Sequence, residues 1–152
     1  MNDRRMNDRR MNEEEVFARV KRAIEDTLAL EPDRAARVVP STNLIDELGA
    51  ESLDFLDLLF RLEDDFGIVL PQREFTDADR LGLSEKDLAT KDGTLTQAAI
   101  ERLRVLLPEA DPRKLAPGLK KNEIARCLTV QSFVNLVQRK LEQPKTEGKA
   151  TP

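Results

Sequence analysis

Apolar residues recur at helical spacing in separate blocks along the chain, and breakers divide the blocks. Val16, Val20, Ile24 and Leu28 return every fourth residue with Phe17 beside them, as one face of a helix should. Asn12, followed three residues later by Glu15, supplies a capping-box pattern at its start. Glu31-Pro32 ends it, because a residue before proline avoids the helical region. A long connection then runs to Ala50, with Pro40 and a short turn expected over Leu44–Leu48. The strongest helical pattern is Ser52–Phe66, with Gly67 as its C-terminal cap and Pro71 barring continuation.

Beyond Pro71 the periodicity loosens. Ser84-Glu85-Lys86-Asp87 opens a short helix that Asp92-Gly93 breaks. Thr94 with Gln97 is read as the cap of another, carrying Leu95, Ala99, Leu103, Leu106 and Leu107 up to Pro108. Pro108, Pro112, Pro117 and Gly118 mark a loop, and Asn122–Arg126 has the length of one helical turn. Thr129 then caps a last helix with Val130, Phe133, Val134, Val137 and Leu141 on one side. No segment reads as a strand, so the expected class is all-α. Residues 12–142 are expected to form one domain, between a disordered leader of twice-repeated Met-Asn-Asp-Arg-Arg (Met1–Met11) and a disordered tail (Gln143–Pro152). Methionines at 1, 6 and 11 leave the native start open.

Composition narrows the chemistry. The chain has no histidine and one cysteine, Cys127. Ser–His and Cys–His nucleophile pairs are therefore impossible within it, as are an intrachain disulfide and a Cys-rich zinc site. No apolar run approaches the about 20 residues of a spanning helix, and a cytoplasmic monomer with no bound metal and no stable membrane insertion is expected. Nucleic-acid binding is not expected either, since no aromatic residues interleave with Lys120, Lys121 and Arg126. Charge is unevenly spread. Asn43–Pro71 holds eight acids against one base, Arg61, whereas Pro108–Pro152 holds five acids against nine bases. A local field of one sign suits a partner of the other.

On a wheel of about 100° per residue, Ser52–Phe66 carries three stripes. Phe55, Leu58, Leu59, Leu62 and Phe66 make a core face. Asp54, Asp57, Arg61, Asp64 and Asp65 make the solvated face. Leu53, Leu56 and Phe60 form a second apolar strip flanked by Asp57, Glu63 and Asp64. Either the helix is buried on two sides, or this strip is a docking surface rimmed with carboxylates. Ser52 heads it. A serine there serves as an N-cap, and a phosphate attached there would sit on free backbone N–H groups at the positive end of the helix dipole.

Asp46-Glu47-Leu48-Gly49-Ala50-Glu51-Ser52-Leu53-Asp54, then Leu58, then Leu62-Glu63-Asp64-Asp65-Phe66-Gly67-Ile68 and Pro71, resembles the acyl carrier proteins. Thr129-Val130-Gln131 with Phe133 and Val134 is similar to the start of that family's last helix, and Val16–Leu28 suits its first. The resemblance implies a four-helix bundle, with a helical insertion over residues 72–121 between the second helix and the C-terminal helices. It also implies a carrier rather than an enzyme, with no catalytic residues of its own. By this likeness a phosphopantetheinyl transferase would attach the 4′-phosphopantetheine arm of coenzyme A to Ser52. Acyl groups would then ride on the arm as thioesters in fatty-acid or specialised lipid biosynthesis. The docking set implied is Glu51, Leu53, Asp54, Leu56, Asp57, Phe60, Glu63 and Asp64, met by acyl-loading enzymes, ketoacyl synthases or acyltransferases with basic patches.

Two features depart from the family pattern. Glu51 stands where an aspartate is typical, and 57 residues separate Pro71 from Thr129. Asn122–Arg126 is taken as the third helix, with Thr94–Ile100 as a rival for the family's last. Leu95, Leu103, Leu106 and Leu107 of the insertion either enlarge an acyl pocket or serve as padding. Open alternatives are a peptidyl- or polyketide-type carrier, and a non-covalent helical interaction module in which Ser52 is only a cap.

Overall fold

A computed structural model describes residues 12–70 and 81–142 of the chain. The leader, the tail and Pro71 with the start of the insertion lie outside the described residues. The longer helices are α1 (Glu13–Leu28), α3 (Ser52–Phe66), α5 (Gln97–Leu106) and α6 (Val130–Glu142). Two single turns, α2 (Pro32–Ala35) and α4 (Glu85–Leu88), and a 3-10 helix over Lys121–Cys127 complete the set. Among the described residues β-pairing is limited to isolated bridges, so the class is all-α.

Local chemistry sets the helix ends. The Asn12 carboxamide accepts from the Glu15 N–H at 2.8 Å and the Glu15 carboxylate accepts from the Asn12 N–H at 3.3 Å, the capping box that the spacing predicts. α1 closes through Ala29, whose left-handed φ of 51° lets the Leu30 N–H reach the Glu25 carbonyl at 3.0 Å. Gly67 ends α3 in the same region, φ 66°, donating to the Glu63 carbonyl at 2.8 Å. Ser84 caps α4 through the Asp87 N–H. Thr96, not Thr94, caps α5, accepting from the Ala99 N–H at 3.1 Å. Thr94 is instead held in a bridge with Lys120, and its N–H donates to the Asp92 carboxylate, whose pKa the Thr90 hydroxyl, with this N–H second to it, lowers to about 2.

α1, α3 and α6 form the bundle. α6 packs along α1 and also touches α3, whereas α5 packs on α4. Val130–Glu142 therefore occupies the place of the last bundle helix, and the Thr94 segment does not. Its start is locked by a reciprocal pair: Thr129 Oγ1 accepts from the Ser132 N–H, and Ser132 Oγ accepts from the Thr129 N–H at 3.0 Å. The long connection after α1 supplies further acceptors, with Val130 donating to the Thr42 carbonyl and Gln131 to that of Pro40. These bonds satisfy donors that a helix start leaves free.

One apolar cluster runs through bundle and insertion. Val16, Val20, Ile24, Leu58, Leu62, Phe133 and Val137 belong to it together with Leu95, Ile100, Leu103, Leu107 and Leu115. Cys127 is buried in the same core, and burial raises its thiol pKa, as suits a small packing residue. Between the two parts, the Asn135 amide donates to Glu109 at 3.1 Å. Because the core is shared, Leu103→Ala is expected to cost about 2–5 kcal/mol and to lower a single urea transition of the whole chain. Two separate transitions by circular dichroism would show that the insertion folds apart.

Candidate functional site

The site is built on α3, and the turn before it sets where the helix begins. Asn43 organises that turn: its Oδ1 accepts from the Ile45 and Asp46 N–H groups at 3.0 and 2.9 Å, and its own N–H donates to Glu47 Oε2. The Ala50 N–H closes back on the Leu44 carbonyl at 3.0 Å, and Gly49 takes the positive φ of 73° needed between them. Glu51 is extended and is the N-cap residue of α3. The Asp54 carboxylate accepts from the Glu51 N–H at 2.8 Å.

Ser52 is thus the first residue inside the helix rather than its cap, which corrects the reading of this serine as a capping residue. It is exposed, and its hydroxyl has no hydrogen-bond partner among the described residues. The capping duty is carried by the Glu51 backbone and the Asp54 carboxylate, so the serine oxygen is left free for chemistry.

The rotation of α3 separates its stripes. Leu58 and Leu62 are buried, and Phe55, Leu59 and Phe66 pack against the core at partial exposure. Phe55 stacks on Phe133 of α6 with ring centroids 6.1 Å apart. At the far end Arg19 of α1 donates to the Asp65 carbonyl at 2.7 Å and lies over the Phe66 ring at 4.6 Å. A cation there complements the negative end of the helix dipole. The second strip stays outside. Leu53 is 76% exposed and Phe60 55%, and Leu56 is half-buried without packing against the core. The two-sided burial that the strip allowed is not what the fold adopts.

The acidic residues fall into two groups. Glu51, Asp57 and Asp64 are exposed. Asp57 holds Arg61 at 3.7 Å one turn away, a surface pair of small worth. Asp54 and Glu63 are half-buried and have structural duties as well, Asp54 at Glu51 and Glu63 accepting from the Leu70 N–H at 2.6 Å. Sequence spacing places Glu63 on the rim of the strip but does not show that it also ties down the chain after Gly67. Among the described residues no cluster of acids and cysteine is arranged to hold a metal ion, and no helix is long and apolar enough to cross a membrane.

The family model described as phosphopantetheine attachment site matches residues 18–88. An acyl carrier protein of Thermosynechococcus vestitus is 36% identical over 60 residues, 40% of this chain and 70% of the relative. One of Rhodopseudomonas palustris is 40% identical over 57 residues, 38% of this chain and 68% of the relative. The chain belongs to the acyl carrier protein family. The acyl carrier protein AcpXL of Mesorhizobium japonicum is 38% identical over 60 residues, and the chain spans 61% of that relative's length. No solved structure matches. The chain is accordingly a carrier rather than an enzyme, and its cofactor is a covalently attached 4′-phosphopantetheine.

The residues present suit that group. The Ser52 oxygen is free, and among the described residues the Ser52 and Leu53 backbone N–H groups have no acceptor of their own. A phosphodiester at this oxygen is therefore compatible with the local donors. The carrier's two apolar stripes should separate in unfolding experiments. Leu58→Ala is expected to lose about 2–5 kcal/mol, whereas Leu53→Ala and Phe60→Ala should stay within about 0.5 kcal/mol of the parent.

Proposed function

We propose that Ser52 carries the 4′-phosphopantetheine arm, and that the carrier delivers acyl groups as thioesters in fatty-acid or specialised lipid biosynthesis. The observation that carries this reading is the exposed, unbonded Ser52 hydroxyl at the head of an acidic helix. When bound, the arm supplies the thiol that a chain with one buried cysteine lacks on its surface. The chain's own part is to present the serine, to keep the arm's phosphate among backbone donors, and to recognise the enzymes that load and unload it.

In this reading the docking face comprises Leu53, Leu56 and Phe60 as its apolar strip, with Glu51, Asp54, Asp57, Glu63 and Asp64 around it. The exposure of Leu53 and Phe60 supports it, since apolar side chains held out beside carboxylates suit brief contact with a basic enzyme surface. Phosphopantetheinyl transferases, ketoacyl synthases and acyltransferases are the partner classes that such a face would meet. Association should be fast and weakened by salt. A cytoplasmic monomer is the working state.

Intact mass after incubation with coenzyme A and a promiscuous phosphopantetheinyl transferase tests the attachment. One arm is expected on the wild type and none on Ser52→Ala; an arm on Ser52→Ala would move the site elsewhere. The acyl group is open to a second measurement. If the insertion lengthens the acyl site, thermal melts of the loaded carrier should rise with chain length, each newly buried methylene adding about 0.8 kcal/mol. A flat response would leave Leu95, Leu103 and Leu107 as packing alone.

A further inference from the structure

The turn that delivers Ser52 is gripped from two sides, by the insertion and by the 3-10 helix that follows it. On one side the Lys114 ammonium forms an ion pair with Asp46. On the other the Asn43 amide donates to the Arg126 carbonyl at 2.8 Å, at the end of the 3-10 helix. Asp46 and Asn43 belong to one turn, because Asn43 Oδ1 accepts from the Asp46 N–H. Asn43 is only 7% exposed, so its bonds are shielded from water. Ala50 closes the turn on Leu44, and Ser52 follows two residues later.

Lys114 is itself firmly mounted. Its turn is closed by the Lys114 and Leu115 N–H groups on the Asp111 carbonyl, at 2.9 and 3.0 Å. The Leu115 side chain is buried, and its carbonyl accepts from Arg104 Nε of α5 at 3.1 Å. Arg113 is engaged within the turn by Asp111, which leaves Lys114 to reach across to the carrier.

We propose that Lys114 is a positioning residue for the tether. By holding Asp46 it keeps the Asn43–Ala50 turn, and with it Ser52, in the arrangement that an arm-transferring enzyme engages. The inference rests on Ser52 as the attachment residue. An enzyme that binds one arrangement of the turn sees an affinity reduced by the fraction of molecules outside it. Loss of the grip therefore raises KM and leaves kcat unchanged, since the bound serine reacts as before. A partly exposed ion pair supports an effect of a few-fold, not orders of magnitude.

The test is loading from coenzyme A by a promiscuous phosphopantetheinyl transferase, with wild type, Lys114→Glu, Asp46→Lys and the double exchange. Each single variant is expected to raise KM about three- to fivefold with kcat unchanged and Tm lowered by no more than about 4 °C, and the exchange to return KM to the parent value. Amide hydrogen exchange of residues 44–50 in the unloaded protein should quicken in Lys114→Glu and recover in the double variant. Single variants with the parent KM, or unchanged amide exchange, would overturn the inference. So would a double variant as poor as the singles, which would mean that the transferase touches these charges directly. A wild-type chain that gains no arm on Ser52 would instead remove the attachment reading, and this inference with it.

Discussion

Burial of Leu58 and Leu62 in the core shared with α1 and α6 sets the rotation of α3, and everything the carrier presents depends on that rotation. With these two leucines inside, Phe55 meets Phe133 and Phe66 lies under Arg19. Leu53 and Phe60 are then turned outward whatever their own preference for apolar surroundings. An exposed apolar strip is costly in isolation. It persists here because the opposite stripe is longer, better packed and continuous with the rest of the core.

The start of the helix is a second constraint, met by hydrogen bonds. Asn43, Glu47 and the Ala50–Leu44 closure hold the turn, and Glu51 with Asp54 organises the first turn of α3. Ser52 is relieved of capping. The turn is thus set by its neighbours, and among the described residues the Ser52 hydroxyl has no hydrogen-bond partner.

The insertion changes the usual economy of a small bundle. Its leucines extend one core instead of making a second, and Glu109 and Lys114 tie it to α6 and to the turn before α3. Opposite charges that lie far apart in sequence meet at Lys114 and Asp46, while Asp57, Asp64 and Asp65 of α3 are exposed.

Much of this was legible in the chain. Helical spacing and local caps located α1, α3 and α6, because those signals reside in residues three or four apart. The same spacing separated the core stripe of α3 from the strip beside Ser52, and the Leu-Gly-Ala-Glu-Ser-Leu run pointed to the family. Spacing alone misplaced the cap of α5, since Thr94 and Thr96 are equally able to cap and only the bridge to Lys120 decides between them. It also left open whether Leu53, Leu56 and Phe60 are covered, whether Ser52 caps its helix, and which of two segments closes the bundle. Those questions turn on what lies opposite a side chain, and residues distant in sequence decide that only when the chain packs.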